Sequence, residues 1–265
     1  MPERILTFVL LLHLTFSLPV TSQLSSRNEA ELLFESQDPP TLPHKACLGP
    51  FIKATAHNPI MGPNASSQFD CPWHGARVAW EAKDVFNPAA IVRAGRVHML
   101  YRAEDKVGEF AGTSRIGLAT SEDGLAFERS GSPVLYPHPL PGDCCSKAVK
   151  HRCGHLCSYD PASGMAQGVR DGPMSMAFFE GEGGCEDPRV VEDESGLYWM
   201  TYTAYDGHVA RMAIASSRDL VTWERHGLAF KSHPNAWSKS GAIASRYLPD
   251  GRIVAARIGP AAQYY

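Results

Sequence analysis

The amino-acid sequence predicts an all-β propeller, and three observations support this fold class. From Val85 onward, short apolar runs such as residues 97–101 alternate with turn residues, as expected for strands. No window of useful length shows an apolar period of 3.6 residues, so helices are expected to be minor. The chain also repeats itself, because residues 115–129 align without gaps on residues 211–225. Repeats of about 50 residues with four short strands are typical of propeller blades.

The repeat extends to both sides of this core alignment. Upstream, residues 87–105 align on residues 187–206 with one inserted residue, and a third repeat starts at residues 238–243. These repeats account for about three blades, whereas a propeller needs about four to close its ring. Either the N-terminal part supplies a divergent blade or the chain is C-terminally truncated, and we favour truncation. The alignment places Asn87, Asp187 and Lys239 (or its neighbour Ser238) at equivalent positions that face the central funnel.

The rest of the chain has a simple predicted organisation. Residues 1–22 have the charge, the short apolar run and the small-residue end of a secretory signal, with an uncleaved anchor as the alternative. Residues 23–45 are polar and contain proline, which predicts a disordered linker, and residues 46–265 form the propeller domain. We therefore expect a secreted or secretory-lumen protein with no membrane span after signal removal. A net charge of −3 argues against nucleic acid as a partner.

Cysteine usage agrees with secretion. Four of the seven cysteines lie at residues 144–157, inside a Cys-, His- and Gly-rich stretch at about 137–180 that we interpret as an insertion. Disulfides are expected in a secreted protein, and a zinc site with His151 and His155 is the alternative. The odd count leaves at least one unpaired thiol or an intermolecular link. We choose Cys185 as the unpaired thiol, packed as a small apolar side chain. The triplet beginning at Asn64 is a glycosylation acceptor.

The segment Gly-Cys-Glu-Asp-Pro-Arg at residues 184–189 carries the candidate chemistry. Cleavage of a glycoside needs an acid for the leaving oxygen and a second group that supplies or activates a nucleophile, and Asp187 is the candidate acid. The neighbouring charge of Glu186 favours its protonated form and that of Arg189 opposes it, so the sequence leaves its protonation open. The alternative is that Asn87-Pro88 and Asp187-Pro188 only start strands by turn chemistry.

Several motifs together resemble glycoside hydrolase family 130, the family of β-mannoside phosphorylases and related β-mannosidases. The resemblance runs from about Gly49 to the C-terminus without the insertion, and the motifs are Phe-Asn-Pro-Ala-Ala (86–90), Tyr-Arg-Ala-Glu-Asp (101–105), Ser-Arg-Ile-Gly (114–117), Glu-Asp-Pro-Arg (186–189), Thr-Tyr-Thr-Ala-Tyr-Asp (201–206) and Ser-Lys-Ser-Gly (238–241). It implies a five-bladed β-propeller and cleavage of β-mannosides with inversion. It also implies that Asp187 is the general acid, acting through a sugar hydroxyl, and that Asn87 and Arg102 bind mannose.

The resemblance extends to further residues with less certain roles. Additional substrate-binding candidates are Asp105, Arg115, Arg189, Tyr205 and Asp206. Lys239 and Arg225 are the candidate ligands of inorganic phosphate, which would be the co-substrate, with no other cofactor and no metal expected. The expected partner is a β-mannoside or manno-oligosaccharide; the sequence does not indicate an oligomeric state.

Two departures from the family pattern keep the function open. Ser238 stands where many of the phosphorylases have a histidine, and residues 205–207 lack an arginine expected in a complete phosphate clamp. Phosphorolysis giving mannose 1-phosphate is the leading prediction. An inverting hydrolase that uses water is the alternative, and a secreted propeller that binds glycans without catalysis is the alternative of another class.

Overall fold

The structure is a computed structural model that describes residues 54–108, 112–138, 158–160, 165–167, 176–258 and 263–264. The predicted signal peptide, the linker and the cysteines at 144–157 lie outside these residues. The described strands are β1 (Asn64–Cys71), β2 (Ala76–Glu81), β3 (Asp84–Arg93), β4 (Arg96–Glu104), β5 (Ser114–Ser121), β6 (Glu128–Arg129), β7 (Ser158–Asp160), β8 (Met165–Gln167), β9 (Gly184–Glu192), β10 (Tyr198–Tyr205), β11 (Ala210–Ser217), β12 (Glu224–Leu228), β13 (Ser245–Tyr247), β14 (Ile253–Ala255), β15 (Arg257–Ile258) and β16 (Gln263–Tyr264). One short helix, α1 (Ala177–Glu180), precedes β9.

Two four-stranded antiparallel units repeat, as the sequence predicts. Strands β3 to β6 form blade one (residues 84–129), and β9 to β12 form blade two (residues 184–228), with each strand paired to the next. The hairpin of β13 and β14 follows blade two, and β1 and β2 form a hairpin before blade one. The prediction of an all-β fold built from repeated blades is confirmed.

A glycine joins the two blades at a close backbone contact. Gly184, the first residue of β9, forms a parallel bridge with Ser114 of β5. Its φ is 99°, and a Cβ atom there would lie 2.1 Å from the Ser114 carbonyl oxygen. Only glycine fits this position, because both the backbone angle and the space exclude a side chain. The contact sets the start of β9, and therefore Glu186 and Asp187, beside blade one.

The apolar core crosses the boundary between the blades. Leu100 and Ile116 of blade one are fully buried in the same cluster as Met200 and Tyr202 of blade two. A second cluster surrounds Trp80, which lies under blade one. Burial of large apolar side chains is the main stabilising contribution in such a fold. The blades are therefore held together by packing as well as by the backbone contact at Gly184.

Just before each blade, a buried glutamate bonds a tyrosine of the blade's second strand and an arginine of its fourth strand. In blade one, Glu81 accepts hydrogen bonds from Tyr101 and from Arg129, the latter at 2.6 Å. In blade two, Glu180 accepts from Tyr202 at 2.6 Å and from Arg225 at 2.8 Å. Both glutamates are fully buried. We call these two sets of three residues the glutamate triads. Glu180 ends α1, so the last residue of the predicted 137–180 insertion supports blade two through these contacts.

Among the residues that the structure describes, no helix is both long and apolar enough to cross a membrane.

Candidate active site

A β-bulge interrupts the first strand of each blade at the predicted motif. Asn87 and Pro88 together oppose Tyr101, and Asp187 and Pro188 together oppose Tyr202. Asn87 has a φ of 47° and Asp187 a φ of 49°, in the left-handed region that Asn and Asp tolerate better than other residues with a Cβ atom. Proline fits the second bulge position, because the ladder there needs no N–H donor. The strand bulges therefore place the two polar side chains.

The two bulges meet across the blade boundary. The Asn87 side-chain amide donates a hydrogen bond of 2.8 Å to Asp187 Oδ1. Ser240, the residue after Lys239, also has a positive φ, of 60°. No described strand includes residues 238–241, so the predicted equivalence of Lys239 (or its neighbour Ser238) with Asn87 and Asp187 stays a prediction.

Arg102 is the centre of the site. Its guanidinium donates to Asp187 Oδ1 at 3.2 Å, lies 2.9 Å from Glu186 Oε1 and also bonds Glu104. Its Nε donates to Ser114 Oγ at 3.0 Å, and the guanidinium lies over the ring of Phe86. The family resemblance implies that Arg102 binds mannose. In the structure its donors hold the carboxylates, including that of Asp187.

Lys239 brings a second cation to the same carboxylates from the segment before β13. Its Nζ lies 3.4 Å from Asp187 Oδ2 and 3.8 Å from Glu186 Oε2. The Lys239 side chain is 43% exposed, whereas those of Glu186 and Asp187 are 6% and 7% exposed. Lys239 is therefore the charged group of this cluster that solvent and a ligand reach most easily.

The surroundings of Glu186 and Asp187 shift the pKa values of these two adjacent acids in opposite directions. Burial alone would raise the pKa of Asp187, but the hydrogen bond from Asn87 and the charges of Arg102 and Lys239 outweigh it and hold the pKa below its usual value. For Glu186, burial prevails over the attraction of the two cations and raises the pKa to about 7, with a contribution from the negative charge of Asp187. Asp187 is therefore ionised at neutral pH, whereas Glu186 is partly protonated near pH 7.

Three predicted substrate-binding residues lie in structural salt bridges instead. Asp105 and Arg115 are fully buried and 2.7 Å apart. Asp206 forms the matching bridge of 2.6 Å with Arg211 in blade two. In both blades, the arginine also donates to a backbone carbonyl two residues earlier, at Thr113 or Val209. The prediction that Asp105, Arg115 and Asp206 bind sugar is not supported, because these charges already neutralise each other inside the blades.

Arg225, a predicted phosphate ligand, lies away from the cluster. It is on β12, and its guanidinium lies beside Glu180 and the Cys185 thiol, in the interior that the blades share. Its guanidinium donates to Glu180 and to the backbone oxygen of Tyr136 at 2.6 Å. Arg225 belongs to a glutamate triad and has the same role as Arg129, with which it aligns in the sequence repeat. These contacts argue against a role in phosphate binding.

The remaining candidates lie on either side of Asp187. The Tyr205 ring packs on Gly183, where a Cβ atom would lie 2.2 Å from the ring, and its hydroxyl donates to the Gly207 carbonyl. Burial and the charges of Glu186 and Asp206 raise the pKa of Tyr205, which places Tyr205 near the cluster. Arg189 is half-buried on β9, just past the bulge.

Sequence reasoning missed two acids of the site. Glu186 entered only as a neighbouring charge, and Glu104 only as part of the motif that contains Arg102. Glu104 accepts hydrogen bonds from Lys83 at 2.8 Å and from Ser114 at 3.1 Å, besides its contact with Arg102. The internal repeat held a usable signal, since blade one has Phe86 where blade two has Glu186, and blade two has Tyr205 where blade one has Glu104.

Cys185 and Cys71 are both free and buried. Cys185 lies in the core cluster that the blades share, and burial raises the pKa of its thiol. Within the described ranges, no group of three or more His, Cys, Asp or Glu side chains is arranged to hold a metal ion. The predicted disulfide or zinc cysteines at 144–157 are outside those ranges.

Comparisons with known proteins agree with the resemblance seen in the motifs. A family model for glycoside hydrolase family 130, described as β-1,4-mannooligosaccharide phosphorylase, matches residues 177–259. A 1,2-β-oligomannan phosphorylase of Thermoanaerobacter sp. (strain X514) is 28% identical over 69% of this chain and 47% of its own length. A β-1,2-mannobiose phosphorylase of the same organism is 27% identical over 66% of this chain and 47% of its own length.

Solved structures give the same answer for the fold. One, from work on glycoside hydrolases of family 130 that target β-1,2 mannosidic linkages in Candida mannan, has a TM-score of 0.63 at 37% identity. The match covers 82% of this chain and 52% of the chain in that solved structure. A putative glycosidase of Bacteroides thetaiotaomicron has a TM-score of 0.59 at 39% identity, over 76% of this chain and 50% of its own. The predicted fold class is confirmed, and the chain spans about half the length of the relatives it matches.

Proposed function

Because this chain belongs to glycoside hydrolase family 130, we propose that it cleaves β-mannosidic bonds with inversion, by phosphorolysis that gives mannose 1-phosphate. Both curated relatives are phosphorylases of β-1,2-linked mannosides. We take a β-1,2-linked manno-oligosaccharide as the substrate for the same reason. Inorganic phosphate is the proposed co-substrate.

The observation that carries the proposal is the convergence of four predicted residues from four segments of the chain. Asn87, Arg102 and Lys239 all contact the carboxylate of Asp187, at 2.8, 3.2 and 3.4 Å. Asp187 supplies the proton for the leaving oxygen, and Asn87 and Arg102 fix the direction of its carboxylate. The partly exposed Lys239 attracts the phosphate, since a charge-assisted hydrogen bond offsets the desolvation of an anion.

Hydrolysis is a second candidate, and specific observations favour it. Arg225 is held by Glu180, so the predicted phosphate ligands do not converge. The solved structure with a TM-score of 0.63 comes from work on glycoside hydrolases of this family. In this alternative, water replaces phosphate as the nucleophile, and mannose is the product.

The test is to incubate the purified full chain with β-1,2-mannobiose, with and without phosphate, and to identify the products. We expect mannose 1-phosphate together with mannose, formed only with phosphate. Mannose released equally in both reactions would establish hydrolysis. No cleavage in either reaction, with glycan binding retained, would support the non-catalytic alternative.

We also propose that the protein is secreted, with disulfides near residues 144–157 and a glycan on Asn64. The proposal is supported by the form of residues 1–22 and by the number of cysteines. Mass spectrometry of protein made in a secreting host would find the mature N-terminus and any glycan. Counting free thiols under denaturing conditions tests the disulfides, and nearly all thiols free would contradict them.

A further inference from the structure

Glu186 and Asp187 share the same two cations. Glu186 Oε1 and Asp187 Oδ1 approach the two terminal nitrogens of the Arg102 guanidinium at 2.9 and 3.2 Å. Their other oxygens, Glu186 Oε2 and Asp187 Oδ2, lie 3.8 and 3.4 Å from Lys239 Nζ. Neighbouring residues of a regular strand point to opposite faces, and here the bulge at Asp187 and Pro188 turns both carboxylates to one place.

The charges around this pair form a connected chain. Lys83 forms an ion pair with Glu104, and Glu104 forms one with Arg102. Arg102 contacts both carboxylates of the pair, and Lys239 lies on the other side of the pair. Fully ionised, the three acids and three bases of this chain sum to zero charge. One proton on the pair leaves a net charge of +1 beside the exposed Lys239, which favours an anionic nucleophile.

We propose that Glu186 and Asp187 act as one carboxyl pair that shares a proton, in which Glu186 holds the proton that Asp187 passes to the leaving oxygen. The last step rests on the proposed function. The O–H bond of Glu186 breaks as its proton moves to the Asp187 carboxylate, and Asp187 protonates the glycosidic oxygen through the sugar hydroxyl. The C–O bond breaks with its electron pair on that oxygen, while a phosphate oxygen bonds the anomeric carbon. Glu186 recovers a proton from solvent.

The different surroundings of the two acids explain why Glu186 holds the proton and Asp187 transfers it. Asp187 is held ionised by Asn87, Arg102 and Lys239, and an ionised acid has no proton to donate. The groups that face Glu186 are Arg102 and Glu104 from β4, Tyr205 from β10, Asp187 on its own strand, and Lys239. Burial among them keeps a proton on Glu186 up to neutral pH. When the surroundings of two acids make their pKa values differ, one acid can hold the proton and the other can transfer it.

The first experiment needs no substrate. The ¹³C chemical shifts of glutamate side-chain carboxyls, labelled in the full chain, are followed by NMR between pH 4 and 9. We expect one glutamate to titrate near neutral pH, to be lost in Glu186→Gln and to be kept in Glu224→Gln, an exposed control at the start of β12. In Asp187→Asn the titration should move to lower pH, because the like charge beside Glu186 is gone.

The second experiment is the pH dependence of kcat/KM with β-1,2-mannobiose and phosphate. Glu186→Gln should lower kcat/KM by roughly 10²-fold or more and should lose the fall in rate above pH 7, as expected for removal of a group that carries a proton. Glu224→Gln should keep the wild-type profile. A purely structural role for Glu186 would lower the rate and leave the shape of the profile unchanged.

Three outcomes overturn the proposal, two of which concern Glu186→Gln and one Asp187→Asn. The first is a wild-type spectrum with no glutamate titrating near neutral pH, or with a titration that Glu186→Gln keeps. The second is a fall in rate above pH 7 that persists in Glu186→Gln. If the wild-type chain does not cleave β-mannosides at any pH, the proposed function fails, while a titration insensitive to Asp187→Asn would separately refute the carboxyl pair. If Glu186→Gln does not fold, the shift in Asp187→Asn decides alone.

Discussion

Blades one and two share their supports and differ at the site. Each has a glutamate triad, and each has a buried Asp–Arg bridge, at 2.7 Å in blade one and 2.6 Å in blade two. Each turns between its third and fourth strands with a serine that bonds an aspartate two residues later, at 2.9 Å in both blades. These repeated contacts hold the four strands of a blade together, so any repeat needs them.

The positions that differ lie together around Asp187. Blade one has Phe86, Asn87, Arg102 and Glu104 where blade two has Glu186, Asp187, Thr203 and Tyr205. Most of these side chains contact the charged cluster or lie beside it, because the start of β5 in blade one meets the start of β9 in blade two at Gly184. The comparison teaches that in a repeated fold, shared polar residues hold the repeat and unshared polar residues indicate the site.

The largest predicted effect on stability concerns the shared residues. Glu81→Gln and Glu180→Gln should each destabilise the fold by about 3 kcal/mol, because each leaves a largely buried arginine without its carboxylate. The free energy of unfolding, measured with denaturant, should fall by similar amounts in the two variants. A loss in only one blade would break the comparison. Glu128→Gln, an exposed glutamate on β6, is the control.

Much of this organisation is predictable from the sequence. The internal repeat gives the strands and the equivalence of Asn87 with Asp187, and the family motifs give Arg102 and Lys239. The sequence alone leaves the roles of Asp105, Arg115 and Asp206 open, because an acid beside an arginine suits a buried salt bridge and a sugar site equally. The repeat separates the two, since Asp105 and Arg115 recur as Asp206 and Arg211. A chemical role for Glu186 depends on burial and on the distances to two cations, which sequence spacing does not provide.

The second prediction uses an unshared residue. The pKa of Glu186 rises from 4.5 to about 7 on folding, so its contribution to stability is present below pH 4.5 and is lost as the pH rises through 7. Glutamine cannot ionise, so Glu186→Gln should match the wild-type Tm at pH 4 and exceed it by a few degrees at pH 8. Thermal unfolding at the two pH values measures this. Equal Tm differences at both would contradict a raised pKa in Glu186.

The smallest predicted effect concerns a turn that the blades build differently. Gly124 and Leu220 are equivalent, with φ values of 74° and 67°. Leu220 occupies this left-handed position with a fully buried side chain in the core, whereas a side chain at Gly124 meets only Val97, 3.9 Å from its Cβ. Gly124→Ala should therefore cost about 1 kcal/mol of unfolding free energy from strain alone. Gly62→Ala, with open space and no positive φ, should cost less; an equal cost would contradict the strain.

The central claim is that Asp187 takes part in catalysis, whereas Asp206, another aspartate of blade two, only stabilises the fold. Turnover of β-1,2-mannobiose with phosphate and Tm, measured together on Asp187→Asn and Asp206→Asn, test it most directly. Asp187→Asn should lower kcat by roughly 10²- to 10⁴-fold, the usual contribution of a general acid, and should leave the fold intact. Asp206→Asn should lower Tm, because it breaks the bridge to Arg211, and should keep kcat within a few-fold. Unchanged turnover in Asp187→Asn, or its loss in a stable Asp206→Asn, would contradict the account.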